Sequence, residues 1–392
     1  MPRRGIPPYV FKMNITQIDL TNKRQVQDFL ELPFRLYKDI PQWVPPLRMD
    51  DRLRLDPKRY PFYQHSQAGF FLAYEGTRVV GRVVAIDNRL YNQYNNEATA
   101  FFYLFECENC QEAASALLNA ACDWARARGL TKIIGPKGFT VLDGFGTLVR
   151  GFEHRPAFGL PYNPAYYPSL IEAAGFETEL DAVSGYLGAD IQFPARIHEL
   201  AERIAKRRGL RIARFRTRDD LRAFIPKLKN LYNNALADMG GNAPLTDAEI
   251  KMMADQMLRF ADPRLLKIVY KVADPRTGSE EPVGFLMAYP DISAALQKTK
   301  GRLFPFGWIT LLREFKRTDW LNINGAGLLP EYRGSGGTAI LYSELFKSVL
   351  ETGQFRHAEV IQIGIENENM QRDMENFGID FYKIHRTYVR DL

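Results

Sequence analysis

The residues with the clearest chemistry form a glycine-rich run late in the chain, Arg333-Gly334-Ser335-Gly336-Gly337-Thr338. It follows the strand-like stretch Trp320 to Leu329, and a helical stretch from about Gly337 to Thr352 begins directly after it. Glycines let successive backbone N–H groups turn inward, and a helix start adds unpaired donors and the positive end of a dipole. Arg333 supplies a guanidinium fork. Together these suit a diphosphate. A nucleoside-triphosphate loop would end in Gly-Lys-Ser/Thr, and no lysine stands here. In a dinucleotide fingerprint the glycines open the helix directly after the strand. Here Gly325 and Gly327 precede Pro330, which ends the strand. A glycine turn without a ligand is the plain alternative.

Such a loop needs a sheet and helices to hold it, and the sequence supplies them twice. In the first half, Gly69 to Glu75, Arg78 to Ile86 and Ala98 to Glu106 read as strands. Glu112 to Arg128 reads as an amphipathic helix stopped by Gly129, Lys132 to Gly135 as a short strand, and Tyr167 to Ala174 as a helix closed by Gly175. The second half repeats this order: Leu265 to Ala273, Val283 to Tyr289, Trp320 to Leu329, the helix from Gly337, Ala358 to Ile365, Met370 to Phe377, and Phe381 to Val389. Gly81 and Gly284 match in their local sequence, as do Gly175 and Gly378, and both pairs are 203 residues apart. The expectation is an α/β (α+β) chain of two tandem domains, 1–190 and 191–392. Each is expected to be a mixed, mostly antiparallel sheet flanked by helices.

The segment around the loop resembles the signature of the GNAT superfamily of acyl-CoA N-acyltransferases, Arg/Gln-x-x-Gly-x-Gly/Ala, here Arg333-x-x-Gly336-x-Thr338. Asn367 and Gly378-Ile379 continue the likeness, which spans about Leu265 to Val389. It implies that the donor, acetyl-CoA or a longer acyl-CoA, is held by Leu328, Leu329, Arg333, Gly334, Ser335, Gly336, Gly337, Thr338 and Asn367, with no metal. The first half reads Glu106-Cys107-Glu108-Asn109-Cys110-Gln111-Glu112 where the glycines would stand. Three acids there repel a diphosphate, so the donor belongs to the second half.

Acyl transfer to an amine needs a neutral amine, a stabilised oxyanion and a proton for the thiolate. Counting from Asn367, the position where many family members carry an acidic tyrosine holds Met374, which donates no proton. Tyr382 and Tyr388 are substitutes, against the reading that both are structural. The candidate catalytic residues are Asn367, Tyr382 and Glu106, with a water relay or a base from the first half left open. Asp143, Tyr162, Asn163, Tyr166 and Tyr167 lie in loops rich in proline and glycine and are the candidate acceptor-binding residues; loops tacked down by tyrosines are the alternative. These loops and Asp39 to Pro46 resemble a bacterial family of tandem GNAT-like proteins. Some bacterial ceramide synthases are similar to that family, which implies a long-chain donor and a sphingoid-like lipid amine acceptor. A non-catalytic acyl-CoA-binding scaffold or sensor is the other reading, favoured by Met374.

Bulk properties exclude several classes. The chain has 392 residues, 46% of them apolar, a net charge of +6 and three cysteines, which make no disulfide framework. Cys107 and Cys110 lack the further ligands of a zinc site. Basic residues are mostly dispersed, so nucleic acid ranks last among partners. The exception is 292–318, where Lys298, Lys300, Arg302, Arg313, Lys316 and Arg317 face one acid, with Phe304, Phe306 and Trp308 among them. That mixture suits peripheral contact with an anionic membrane, or a helix on the sheet with a solvated basic face. Met1 to Asn14 is basic and proline-rich without the apolar segment of a secretory signal. The expected location is the cytoplasm, in one reading at the inner membrane face.

Overall fold

The computed structural model describes residues 13–141, 143–188, 195–236, 242–274, 279–334 and 336–392. Ser335, Leu142, the expected boundary at 190/191 and nearly all of Met1 to Asn14 lie outside them. The first half runs β1 (Met13–Gln17), α1 (Lys23–Leu36), α2 (Arg48–Arg54), β2 (Gln67–Glu75), β3 (Arg78–Asp87), α3 (Arg89–Asn95), β4 (Thr99–Cys107), α4 (Gln111–Arg126), β5 (Lys132–Gly135), β6 (Thr147–Arg150), α5 (Tyr167–Ala173) and β7 (Glu177–Gly188). The second runs α6 (Ala195–Arg208), β8 (Leu210–Ile212), α7 (Arg218–Ala235), α8 (Asp247–Met257), β9 (Leu266–Asp274), β10 (Ser279–Pro290), α9 (Ser293–Thr299), α10 (Gly307–Arg317), β11 (Trp320–Leu328), α11 (Gly337–Thr352), β12 (His357–Gly364), α12 (Glu368–Asn376) and β13 (Asp380–Asp391). Helices flank a largely antiparallel mixed sheet, in which β4/β5 and β11/β12 are the parallel pairs.

Among the described residues the strands join one sheet in the order β1-β2-β3-β4-β5-β13-β7-β12-β11-β10-β9-β8, with β6 also on β13. The two halves exchange their last strands. β13 pairs with β5 and so extends the first-half strands, while β7 pairs with β12 and extends those of the second half. The two exchanged strands pair with each other from Glu177↔Val389 to Tyr186↔Asp380. Burial follows. Tyr388 of β13 is fully buried in the first-half core beside Phe102, Ile133 and Phe176, and Val183 of β7 packs in the second-half core.

The repeat seen in the sequence has a conformational basis. Gly175 and Gly378 follow α5 and α12 with φ of 84° and 85°, a left-handed stop that a side chain resists. Leu104 in β4 and Gly325 in β11 both have positive φ, 48° and 98°, where each strand bulges out of register with its neighbour, β3 or β10. Several elements lay outside the sequence expectation, including α1, α7, α8 and β7. Capping boxes at Thr217/Asp220 and Thr246/Glu249 start α7 and α8, so their signal was present in the sequence.

Truncation after Ile379 removes β13, leaves β5 and β7 without their shared neighbour, and opens the first-half core at Tyr388. The truncated chain is expected to lose its single cooperative thermal transition in calorimetry. A transition within a few degrees of the full-length value would contradict the exchanged-strand account.

Candidate functional site

β11 and β12 pair in parallel only from Trp320↔His357 to Ile323↔Val360. Beyond that point β11 stays with β10 and β12 stays with β7, so the two strands separate. Asn324 and Gly325 form the bulge at this fork. Past it, α11 follows its N-cap Gly336, which is in left-handed conformation (φ 83°) and has no side chain to cap the first turn. Those first-turn amides are the donors that an anion would use. Gly337 lies against Leu328, so the loop is closely packed, and a Cβ at Gly336 would collide with Ile204 of α6.

The candidate donor-binding residues are therefore not equivalent. The Arg333 guanidinium donates to the carbonyls of Leu328 (3.2 Å) and Ala235 (3.0 Å), which ties the loop to the strand end and to α7. The Leu329 amide donates to Val283 O at 2.9 Å. Gly334, Gly336, Gly337 and Thr338 supply the loop and the helix start. Asn367 is the N-cap of α12, its side chain accepting from Met370 N at 3.2 Å. Met374 is fully buried in the core.

A cavity of about 320 Å³ opens where the halves meet. The second half contributes Asn324 and Tyr289, whose side chains hydrogen-bond to each other, together with Met253, Met257, Phe260 and Met287. The first half contributes a polar end: Tyr37, Asp51, Arg54, Arg82, Glu106, Asp143, Tyr162, Asn163 and Tyr167. At its centre the Glu106 carboxylate accepts from Tyr37 Oη (2.6 Å) and Tyr167 Oη (2.8 Å), with Arg82 Nη2 3.7 Å away. Burial pushes the Glu106 carboxyl above the usual range; Arg82 and the two tyrosine hydrogen bonds oppose the shift. Asp143 and Asp51 both pair with Arg54, at 2.7 and 2.8 Å.

The candidate acceptor residues are placed as follows. Asp143, Tyr162, Asn163 and Tyr167 line this cavity, and Tyr166 does not. Tyr162 and Tyr166 donate to the carbonyls of Phe152 (2.8 Å) and Cys107 (2.9 Å), and Asn163 bridges both backbone groups of Leu148. Glu106 and Tyr382 line different cavities, and Asn367 caps a helix, so the three candidate catalytic residues are not brought together. Sequence reasoning missed Tyr37, Arg54 and Arg82 as partners of these acids. Arg82 carried a signal, as a charge inside the apolar run Val79 to Ile86.

Among the described residues no group of three or more His, Cys, Asp or Glu could hold a metal, and the Cys107 thiol is buried and pushed up to about 12. Among them, too, no helix is long and apolar enough to cross a membrane.

No protein-family model matches the chain. A tandem GNAT protein from the clavulanic acid biosynthesis pathway superposes with a TM-score of 0.55 at 14% identity, over 97% of this chain and 98% of that one. This chain has the tandem GNAT fold. A GCN5-related N-acetyltransferase from Sphaerobacter thermophilus shares the fold with a TM-score of 0.51 at 12% identity, over 97% of this chain and 95% of that one. By sequence, the chain is 27% identical over 388 residues to a bacterial ceramide synthase of Caulobacter vibrioides, covering 97% of this chain and 98% of that protein. It is 25% identical over 378 residues to protein YghO of Escherichia coli K12, covering 95% and 94%. In this tandem GNAT fold the fork and bulge occur twice, and Leu104 and Asn324, one from each bulge, face the same cavity.

The loop 158–163 that walls the cavity is anchored to β13 by His385, whose Nε2 lies 3.0 Å from Pro161 O. Complete burial lowers the His385 pKa from 6.5 to about 4. A lowered base contributes stability that is full above pH 6.5 and lost as pH falls toward 4, about 3 kcal/mol in all. Urea midpoints measured from pH 7 to pH 4 are expected to fall less steeply in His385→Gln than in the wild type. Parallel slopes would contradict this.

Proposed function

We propose that the chain is an acyl-CoA-dependent N-acyltransferase, with the donor on the second half and the amine in the cavity between the halves. The observation that carries this reading is the position of Glu106. A buried carboxylate with a raised pKa lines the same cavity as the β11 bulge, at the fork where β11 and β12 part. The first turn of α11, whose N-cap Gly336 has no side chain to cap it, suits the donor's paired phosphates through the amides of Gly336, Gly337 and Thr338. Bound acyl-CoA would supply the thioester carbonyl carbon as the electrophile. Glu106 accepts the proton of the amine as its nitrogen bonds to the thioester carbon; the C–S bond then breaks as the oxyanion collapses, and the coenzyme A thiolate leaves and takes a proton from water. Tyr37 and Tyr167 hold the carboxylate in place. Backbone N–H groups at the Asn324–Gly325 bulge serve the oxyanion.

The acceptor's shape can be read from the walls. One end carries Glu106, Asp143, Arg54 and Arg82, while Trp43, Val44, Leu47, Phe158, Met257 and Phe260 form an apolar side. This suits an amine with a polar head and an apolar tail, in line with the product, ceramide, that the Caulobacter relative's name states. The same apolar side continues into the 292–318 insertion. Val44, Leu47, Phe158 and Phe260 pack with Leu303, Leu311 and Phe315, while Phe304 and Phe306 are 78% and 72% exposed on its outside. Arg302, Arg313, Lys316 and Arg317 are also exposed there. An anionic lipid surface fits this face, in reach of the cavity wall.

Coenzyme A at a hundred times its Kd is expected to raise the melting temperature by a few degrees. Gly334→Asp, which adds a carboxylate in open space at a left-handed position (φ 63°) that aspartate adopts more readily than most residues, is expected to remove that shift. Glu106→Gln is expected to keep the shift but slow thiol release with acyl-CoA and a long-chain amine by about 10²–10⁴-fold. A Glu106→Gln variant at the wild-type rate contradicts the assigned base; a shift without turnover on any amine supports the binding-only alternative. In flotation with anionic liposomes, the full chain is expected to rise with the vesicles and a Phe304→Ser/Phe306→Ser/Trp308→Ser variant to stay behind. Equal flotation of both removes the membrane reading.

A further inference from the structure

A second cavity, of about 570 Å³, lies on the same face of the sheet and plays no part in the chemistry above. The segment 155–158 divides the two. Its Ala157 amide donates to Glu359 Oε2 (3.1 Å) and its Phe158 amide to Asp291 Oδ1 (3.2 Å), while Pro156 O accepts from Ser293 Oγ (3.3 Å). Four consecutive strands contribute one row of register partners, Asp380 on β13, Tyr186 on β7, Glu359 on β12 and Asn322 on β11. Residues opposite one another in a sheet share a face, so the row runs from an exposed rim at Asp380 to a buried floor at Asn322.

Two features of this cavity point to one ligand chemistry. The first is charge over aromatic walls. Glu153, Asp291, Glu359 and Asp380 line it against the single guanidinium of Arg155, and Lys383 behind is committed to Glu359 at 2.7 Å. Arg155 pairs with Asp291 at 3.1 Å, so the excess negative charge sits at the rim, on Glu153 and Asp380. The walls are rings: Trp320 stacks on His357 with centroids 4.9 Å apart, and Tyr186 packs at 5.7 Å from Trp320 and 6.1 Å from Tyr382. Aromatic faces beneath carboxylates favour a cation.

The second feature is an unfilled acceptor. Asn322 is completely buried, and its Nδ2 donates to Asp291 Oδ1 at 3.1 Å. A carboxylate only accepts, which fixes the amide's orientation and leaves Oδ1 as an acceptor without a hydrogen-bond partner among the described residues. A buried acceptor calls for a donor. We infer that this cavity is a binding site for a primary ammonium group: cationic, able to lie against Trp320 and Tyr186, and bearing the N–H that Asn322 lacks. The site stands apart from Glu106, and the inference does not depend on acyl transfer.

The test is isothermal titration of the full chain with n-butylammonium chloride, with sodium chloride and tetramethylammonium chloride at matched ionic strength as controls. Saturable binding of butylammonium is expected, weaker for tetramethylammonium, which has no N–H. Glu153→Gln/Asp380→Asn, both at the exposed rim, is expected to weaken it by about fivefold or more. Trp320→Leu should do the same. No binding beyond that of sodium would overturn the assignment. So would equal affinity for tetramethylammonium, or wild-type affinity in the rim variant.

Discussion

Two neighbouring parallel strands in this chain share hydrogen bonds for four residues and then part, because each is held by a different partner. β12 is drawn toward β7, a strand supplied by the first half, and β11 toward β10. The fork therefore depends on a strand that belongs, in sequence, to the other half of the molecule. The reciprocal exchange of β13 makes the dependence mutual, since the first-half strands reach β7 only through β13. With the halves joined in one continuous sheet, the Glu106 cavity is a fixed feature of the fold, and each half contributes one bulge to its wall.

The electrostatics follow from that joint. Charges placed where two halves meet lose water from both sides, and each must be paired or hydrogen-bonded. Glu106 is held by two tyrosines and faced by Arg82, Asp51 and Asp143 share Arg54, and Glu359 and Lys383 pair at 2.7 Å. Burial pushes the Glu359 carboxyl up and the Lys383 ammonium down, and their contact opposes both shifts. In the proposed chemistry the raised Glu106 carboxyl is the useful consequence, because a carboxylate whose pKa is raised by burial takes a proton from an amine more readily than an ordinary carboxylate does.

Much of the architecture was legible in the sequence because each signal was local. Apolar runs rich in aromatic and β-branched residues located β2, β3, β4, β9 and β11, glycine stops ended α4, α5, α11 and α12, and the spacing between repeated glycines revealed the duplication. The exchange of β7 and β13 was not legible, since no local pattern states which strand will be a neighbour. Glu106 and Asp143 could be picked out as acids in unusual places, but their partners just after α1 and on α2, β3 and α5 are 24 to 89 residues away in sequence and meet them only in the folded chain. Arg333 shows the opposite difficulty. Its motif position suggested an anion ligand, and its side chain is directed to two backbone carbonyls, an arrangement only coordinates reveal.

The central claim is that the α11 start and the Glu106 cavity are two ends of one site, and a crystal structure with a non-hydrolysable acyl-CoA thioether tests it most directly. The account predicts the diphosphate at the amides of Gly336, Gly337 and Thr338, the pantetheine passing between β11 and β12, and the acyl carbon at the Asn324–Gly325 bulge, facing Glu106. Diphosphate density on the first half, or an acyl chain pointing away from Glu106, would contradict it.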